Sequence, residues 1–168
     1  IYAMELWNEC QARALPVISL PLGTKVGAGP IEFARPLAWD EPARAFPKLP
    51  ILLGGLGWPW VDECLAMLSR HPNLYTETSA LVPTPWRLYG ALRDAWALGL
   101  LDRVLLGSAF PFSDPAEAAE TVLRVNAYAP VQGPRIPTRE LRALVDRDCF
   151  AALGARGPRL SAGVGVAA

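Results

Sequence analysis

Apolar residues recur at two different spacings along the chain, and the alternation predicts helices and strands in turn. Over Tyr2–Leu15 they recur at helical spacing, and Pro16–Leu20 is then a short run typical of a strand. Residues 21–38 contain many Gly and Pro residues without a sustained period, which predicts a long loop. Asp40 followed by Pro42 is a typical start for a short helix.

The same order of strand and helix continues further along the chain. Strand-like runs lie at Leu49–Gly55, Asn73–Ser79 and Arg103–Gly107. Four continuous strands separated by helices predict an α/β fold with a parallel sheet covered on both faces. Four β/α units are either half of an eightfold barrel or a small open sheet, and periodicity does not choose between these. The segments with helical periodicity are Pro59–Arg70, Pro85–Leu98, Asp114–Tyr128 and Thr138–Leu153.

The composition is more apolar than that of an average soluble domain. Of the 168 residues, 52% are hydrophobic and 19% are charged, whereas charged residues average about 25%. This length suits one domain with its own core, which we place at residues 1–154, followed by a flexible tail at residues 155–168. Part of the apolar excess is expected to cover a partner surface.

Charge and cysteine content exclude several classes of function. Sixteen basic and sixteen acidic residues cancel and are scattered, so no nucleic-acid binding is expected. No apolar run reaches the length of about eighteen residues that spans a bilayer, and no leader segment precedes the first helix, which predicts a cytoplasmic protein without membrane association. Cys10, Cys64 and Cys149 lie far apart and outside any zinc-binding pattern, so we expect reduced thiols.

Four segments have barrel-strand motifs in a fixed order. Residues 15–20 (LPVISL) resemble G-x-P-V-x-x-H, and residues 51–57 (ILLGGLG) resemble a strand that ends in H-x-G. Residues 73–79 (NLYTETS) follow, and residues 102–111 (DRVLLGSAFP) resemble D-R-V-L-F-G-S-D-x-P. These are similar to the fifth to eighth strands of the amidohydrolase-related family, which includes the aminocarboxymuconate-semialdehyde and resorcylate decarboxylases. The resemblance covers residues 1–154 and implies a partial TIM-like (β/α) barrel of about four parallel strands with flanking helices.

The resemblance also implies where a metal would be bound, and at those positions the ligands are missing. Leu20 replaces the fifth-strand His, Gly55 replaces the sixth-strand His, and Ala109 replaces the eighth-strand Asp. The first strand, with its H-x-H pair, has no counterpart in this sequence. A divalent ion such as zinc needs imidazole, thiolate or carboxylate donors at about 2.0–2.3 Å. We therefore predict no metal and no other cofactor.

Polar residues near the strand ends are the remaining candidates, because the active sites of this fold lie at the carboxyl ends of the strands. Glu77 and Asp114 are the candidate catalytic residues, although Glu77 equally suits a structural bond to a loop amide. His71, the only histidine, is expected to be a surface or helix-terminal residue. Trp58 and Trp60 are expected at the mouth of the former site, where they either bind a flat ligand or a partner, or fill the space of the metal. The candidate binding residues are Ser19, Trp58, Trp60, Thr78 and Ser108.

Two functions are compatible with these residues. The first is a non-catalytic amidohydrolase-like subunit or domain that acts by association, as a homo-oligomer or with a larger partner protein, and that accepts a small-molecule ligand at the strand ends. Unpaired outer strand edges of a half-barrel favour such association. The second is a hydrolase or decarboxylase of a small cyclic or aromatic substrate, whose ligands come from upstream residues or a partner, or which works without metal through Glu77 or Asp114. The missing metal ligands favour the first.

Overall fold

A four-stranded parallel sheet forms the centre of the fold. The computed structural model describes residues 2–19 and 31–156. The strands pair in chain order, and all three pairings are parallel. Parallel neighbours need a crossover connection, which here runs through helices, as in the wall of a barrel. The predicted α/β class is confirmed, with strands β1 (Val17–Ser19), β2 (Ile51–Leu53), β3 (Leu74–Glu77) and β4 (Val104–Leu105).

Helices flank this sheet throughout the described segments. None of the helices within those segments is both long enough and apolar enough to cross a membrane. One short 3₁₀ turn, Ile31–Ala34, lies within the predicted loop and a second, Pro36–Trp39, runs one residue past its end; residues 21–30 of this loop are outside the described residues. The α-helices are α1 (Tyr2–Ala12), α2 (Asp40–Ala45), α3 (Val61–Arg70), α4 (Pro85–Ala97), α5 (Pro115–Leu123), α6 (Thr138–Val145) and α7 (Cys149–Ala152).

The single helix predicted over Thr138–Leu153 is wrong, because the chain breaks it into α6 and α7. The Asp148 side chain accepts hydrogen bonds from the first backbone N–H groups of α7 and so begins a new helix. The neighbouring Arg147 guanidinium donates to the carbonyl oxygens of Leu101 and Val104, both at 2.7 Å. The helix predicted to reach Tyr128 likewise ends earlier, at α5, and continues as a 3₁₀ turn. The predicted tail lies almost entirely beyond residue 156, outside the described residues.

The sheet has two differently covered faces. Ile51, Leu53 and Val104 lie on the outer face and belong to the main hydrophobic core, together with residues of α3 and α4. Leu52 and Leu105 lie on the opposite face, which we call the inner face, and pack with Leu153 in a second cluster. Residues of α7 and Tyr75 contact this cluster. Helix α7 and Leu153 therefore cover part of the inner face, which in a closed barrel is the interior.

Candidate functional site

The Glu77 carboxylate is buried at the carboxyl end of β3, where only 9% of the residue is exposed. Its Oε1 accepts hydrogen bonds from the backbone N–H of Gly55 and, at 2.8 Å, from the hydroxyl of Ser79. Its Oε2 accepts the backbone N–H of Ser79 at 2.6 Å. Bonds to an ionised acceptor are stronger than neutral ones. Glu77 therefore connects the end of β2 to the end of β3, and its acceptors are engaged by the chain itself.

Thr78 makes the corresponding connection between β3 and β4. Its hydroxyl donates to the carbonyl oxygen of Gly107 and accepts from the N–H of Gly107, both at 3.0 Å. Gly107 also lies directly against Glu77. A Cβ atom at Gly107 would overlap Oε2 of Glu77 and approach its Cδ to 2.8 Å. The ends of three strands are thus packed around one carboxylate, with glycines on either side of it.

Two of the positions at which the resemblance places metal ligands fall within this region. Gly55 has a left-handed backbone with φ of +59°, and its N–H is bonded to Glu77. Ala109 is also left-handed, with φ of +55°, and is exposed. Neither side chain can donate an electron pair to a metal. The third position, Leu20, lies outside the described residues.

His71 cannot replace these ligands, because it precedes β3 and so lies toward the amino end of that strand. It lies at the end of α3, as the helix-terminal alternative predicts, but it is buried and not on the surface, and its Nε2 lies 2.8 Å from Oδ1 of Asp40. The hydrogen bond with His71, together with the charge of Arg70, lowers the pKa of Asp40. Across residues 2–19 and 31–156, no three His, Cys, Asp or Glu side chains are grouped as metal ligands. The described residues do not fit the family's metal.

Among the described residues, no hydrogen bond joins Asp114, Ser108 or Ser19 to Glu77 or Thr78. Asp114 is exposed and caps α5, where its Oδ1 accepts the N–H of Ala116 at 2.7 Å. The hydroxyl of Ser108 accepts the N–H of Phe110 at 3.3 Å. Ser19 is half-buried at the end of β1. Asp114 and Ser108 thus have local structural roles.

Trp58 and Trp60 line a groove between α3 and α4, with a volume of about 480 Å³. Neither Glu77 nor Thr78 lines this groove, so the indoles form a second region, separate from the strand ends. The Arg87 guanidinium lies over the Trp58 ring, 4.4 Å from the ring centroid. Sequence reasoning did not identify Arg87, because helical periodicity marks the apolar positions of α4 and not the charged residues beside them.

Comparison with known proteins gives a family and a fold. A family model described as amidohydrolase matches residues 2–148. An uncharacterized TIM-barrel protein from Bordetella bronchiseptica has a similar solved structure, with a TM-score of 0.64 and 24% sequence identity. That match covers 89% of this chain and 50% of the other, so the chain spans about half the length of its structural neighbour. At this identity the likeness concerns the fold alone. No curated protein matches.

Proposed function

Because the chain belongs to the amidohydrolase family and forms part of a TIM barrel, we propose that it is a non-catalytic domain of that family which acts by association with a partner chain. The observation that carries the proposal is the absence of a group of metal-binding side chains among the described residues at the carboxyl ends of the strands. Gly55 and Ala109 provide no donors where the resemblance places ligands, and Glu77 is bonded to backbone and hydroxyl groups. Metal-dependent hydrolysis needs a bound ion that lowers the pKa of water, and these residues supply no such site.

The surface proposed for association is the open side of the partial barrel. Among the four described strands, β1 and β4 each have a neighbour on one side only. Ile18 of β1 lies on the inner face and is 59% exposed, although it is the middle residue of the strand. Unpaired strand edges beside exposed apolar side chains are favourable sites for further strands. The structural neighbour is a TIM-barrel protein of which this chain covers half, and this supports the proposal that further strands pair with these edges.

The partner we propose is a polypeptide with four further β/α units, not a second copy of this chain. The helix α7 and Leu153 already cover Leu52 and Leu105 on the inner face. The interior of an eight-stranded barrel is just wide enough for its own side chains. A symmetric dimer would bring two copies of α7 into that interior. An unlike half-barrel without such a segment reduces this crowding, because only one copy of α7 then lies in the interior.

The proposal is tested by mixing this chain with the half of the Bordetella bronchiseptica protein that it does not cover. Light scattering should give a monomer for the chain alone and a one-to-one complex after mixing. Hydrogen exchange should show that the amides of β1 and β4 become protected in the complex. Ile18→Asp should abolish the complex, whereas Val131→Asp, at a position that is 98% exposed in a loop, should leave it unchanged.

Three results would contradict the proposal. A stable homodimer in which the amides of β1 and β4 are protected would show that the partner is a second copy of this chain and not an unlike polypeptide. If the Bordetella bronchiseptica half-protein formed no complex with this chain, the inference that a further half-barrel pairs with β1 and β4 would be wrong. One equivalent of zinc or manganese gained by the complex, with hydrolytic or decarboxylating activity, would show instead that the partner supplies the ligands of an active enzyme.

A further inference from the structure

We propose that the groove between α3 and α4 binds a small zwitterion of the amino-acid type, whose carboxylate pairs with Arg87 and whose ammonium group pairs with Asp62. Both charged side chains line the same groove as two indole rings. This site does not depend on closure of the barrel, because the groove is formed by helices and loops on the other side of the strands from the inner face.

The groove has the size and lining of a small-molecule site. Leu81 and Ala91 lie in it and are 1% and 5% exposed, so its base is apolar and packed against the core. Trp58 and Trp60 are half-buried and contribute large flat surfaces. Its volume of about 480 Å³ falls within the range of about 300–1,000 Å³ that is typical of ligand pockets.

Arg87 provides the positive end of the groove. Its guanidinium carbon lies over the Trp58 ring, 4.4 Å from the ring centroid, and this cation–π contact holds the charged end of the side chain at the groove. None of the ion pairs or side-chain hydrogen bonds of the described residues involves Arg87. A guanidinium without a carboxylate partner is suited to bind a ligand carboxylate through two parallel hydrogen bonds.

Asp62 provides the negative end, because the other two carboxylates of the groove are already paired. Glu63 lies 2.6 Å from the guanidinium of Arg35 and also accepts the backbone N–H of Leu37. Asp94 lies 2.7 Å from Arg93. Asp62, in the first turn of α3, is exposed and forms none of the ion pairs found in the described part of the chain. It is therefore the carboxylate that remains for a ligand cation.

Charge complementarity favours a zwitterion over a simple anion or cation. A ligand with only a carboxylate would pair with Arg87 but would gain nothing from Asp62. A ligand with only an ammonium group would leave Arg87 unpaired. An apolar or aromatic body between the two charges would pack against the indole rings. Aromatic amino acids combine these three features.

The test is a titration of the uniformly ¹⁵N-labelled chain with L-phenylalanine, followed by NMR through the indole N–H signals of Trp58 and Trp60. Single Trp→Phe variants assign those signals. The comparison ligands are 3-phenylpropanoate, which lacks the ammonium group, and phenethylamine, which lacks the carboxylate. Because Arg87 and Asp62 are both exposed, an ion pair with either side chain contributes little in water, so each comparison ligand should bind about two- to fivefold more weakly.

Two variants test the assigned roles. Arg87→Gln and Asp62→Asn should each weaken phenylalanine binding by about two- to fivefold, whereas Arg139→Gln, an exposed arginine of α6, should leave it unchanged. Both groove positions are exposed, so these variants are expected to fold, and circular dichroism checks this. No shift of either indole signal, equal binding of all three ligands, or undiminished binding by Arg87→Gln would each overturn the proposal.

Discussion

Replacing Glu77 by Gln tests whether the buried carboxylate stabilises the strand ends. In the native chain this carboxylate accepts three hydrogen bonds, from the N–H of Gly55 and from the hydroxyl and N–H of Ser79. A glutamine can keep its oxygen in the Oε1 position and so retain two of them. Its NH₂ group then takes the Oε2 position and faces the N–H of Ser79, so that a donor meets a donor.

The magnitude follows from these contacts. One charge-assisted hydrogen bond is lost, at about 1.5–3 kcal/mol, and the two that remain become neutral and weaker. We expect the free energy of unfolding to fall by about 2–4 kcal/mol. For a domain of this length, each kcal/mol changes the melting temperature by about 2–4 °C, so Tm should fall by roughly 5–15 °C.

Urea unfolding followed by circular dichroism measures this loss, and calorimetry gives Tm. The matched control is Glu120→Gln, which removes a carboxylate whose ion pair with Arg124 is exposed on both sides. Surface pairs of this kind contribute less than about 1 kcal/mol, so the control should stay close to the unsubstituted chain. Equal stability of the Glu77→Gln variant and the control would refute the structural role of this carboxylate.

Three further predictions concern packing, acid stability and thiol reactivity. Gly107→Ala should lower the free energy of unfolding by about 2 kcal/mol or more, because the added methyl group overlaps the buried Glu77 carboxylate. The control Gly90→Ala, which has open space around it in the middle of α4, should raise the free energy of unfolding by about 0.5–1 kcal/mol. An unchanged or increased stability of Gly107→Ala would contradict the packing around Glu77. The hydrogen bond with His71 is the main cause of the lowered pKa of Asp40, so the pair stabilises the fold above the usual Asp pKa of about 3.9 and loses this effect as pH falls through the lower pKa of the folded state. The free energy of unfolding, measured with urea at a series of pH values below about 4, should therefore fall less steeply with decreasing pH in Asp40→Asn than in the unsubstituted chain. The same pH dependence in both proteins would contradict this role of Asp40. Burial raises the pKa of the Cys64 thiol to about 12, so iodoacetamide at pH 8 should alkylate this thiol in urea but not in the folded chain. Mass spectrometry of the peptides measures the labelling. Equal labelling in both states would contradict the burial of Cys64.

The order and type of the main elements could be predicted from the sequence because buried parallel strands are continuous apolar runs. All three residues of β2 are buried, as expected within the predicted Leu49–Gly55 run. The strand ends before the predicted limit because Gly55, Leu56 and Gly57 have positive φ values, and a left-handed backbone cannot continue a strand. The apolar run alone does not contain that information.

Long-range contacts were not predictable from local patterns. The break between α6 and α7 depends on Arg147 reaching carbonyl groups near β4, which lie far away in the sequence. The groove likewise includes a contact between Arg87 of α4 and Trp58, which precedes α3 and is far from Arg87 in the sequence. The prediction that Gly55 and Ala109 stand in place of metal ligands depends only on the resemblance to family motifs, since these residue types by themselves do not indicate a metal site.

The most direct test of the account is the metal content of the chain after expression with added zinc and manganese, measured by mass spectrometry and followed by a crystal structure with anomalous data. We predict far less than one equivalent of either metal and no anomalous peak at the carboxyl ends of the strands. One equivalent of a transition ion held there by side chains of this polypeptide would contradict the central claim that it has lost its metal site.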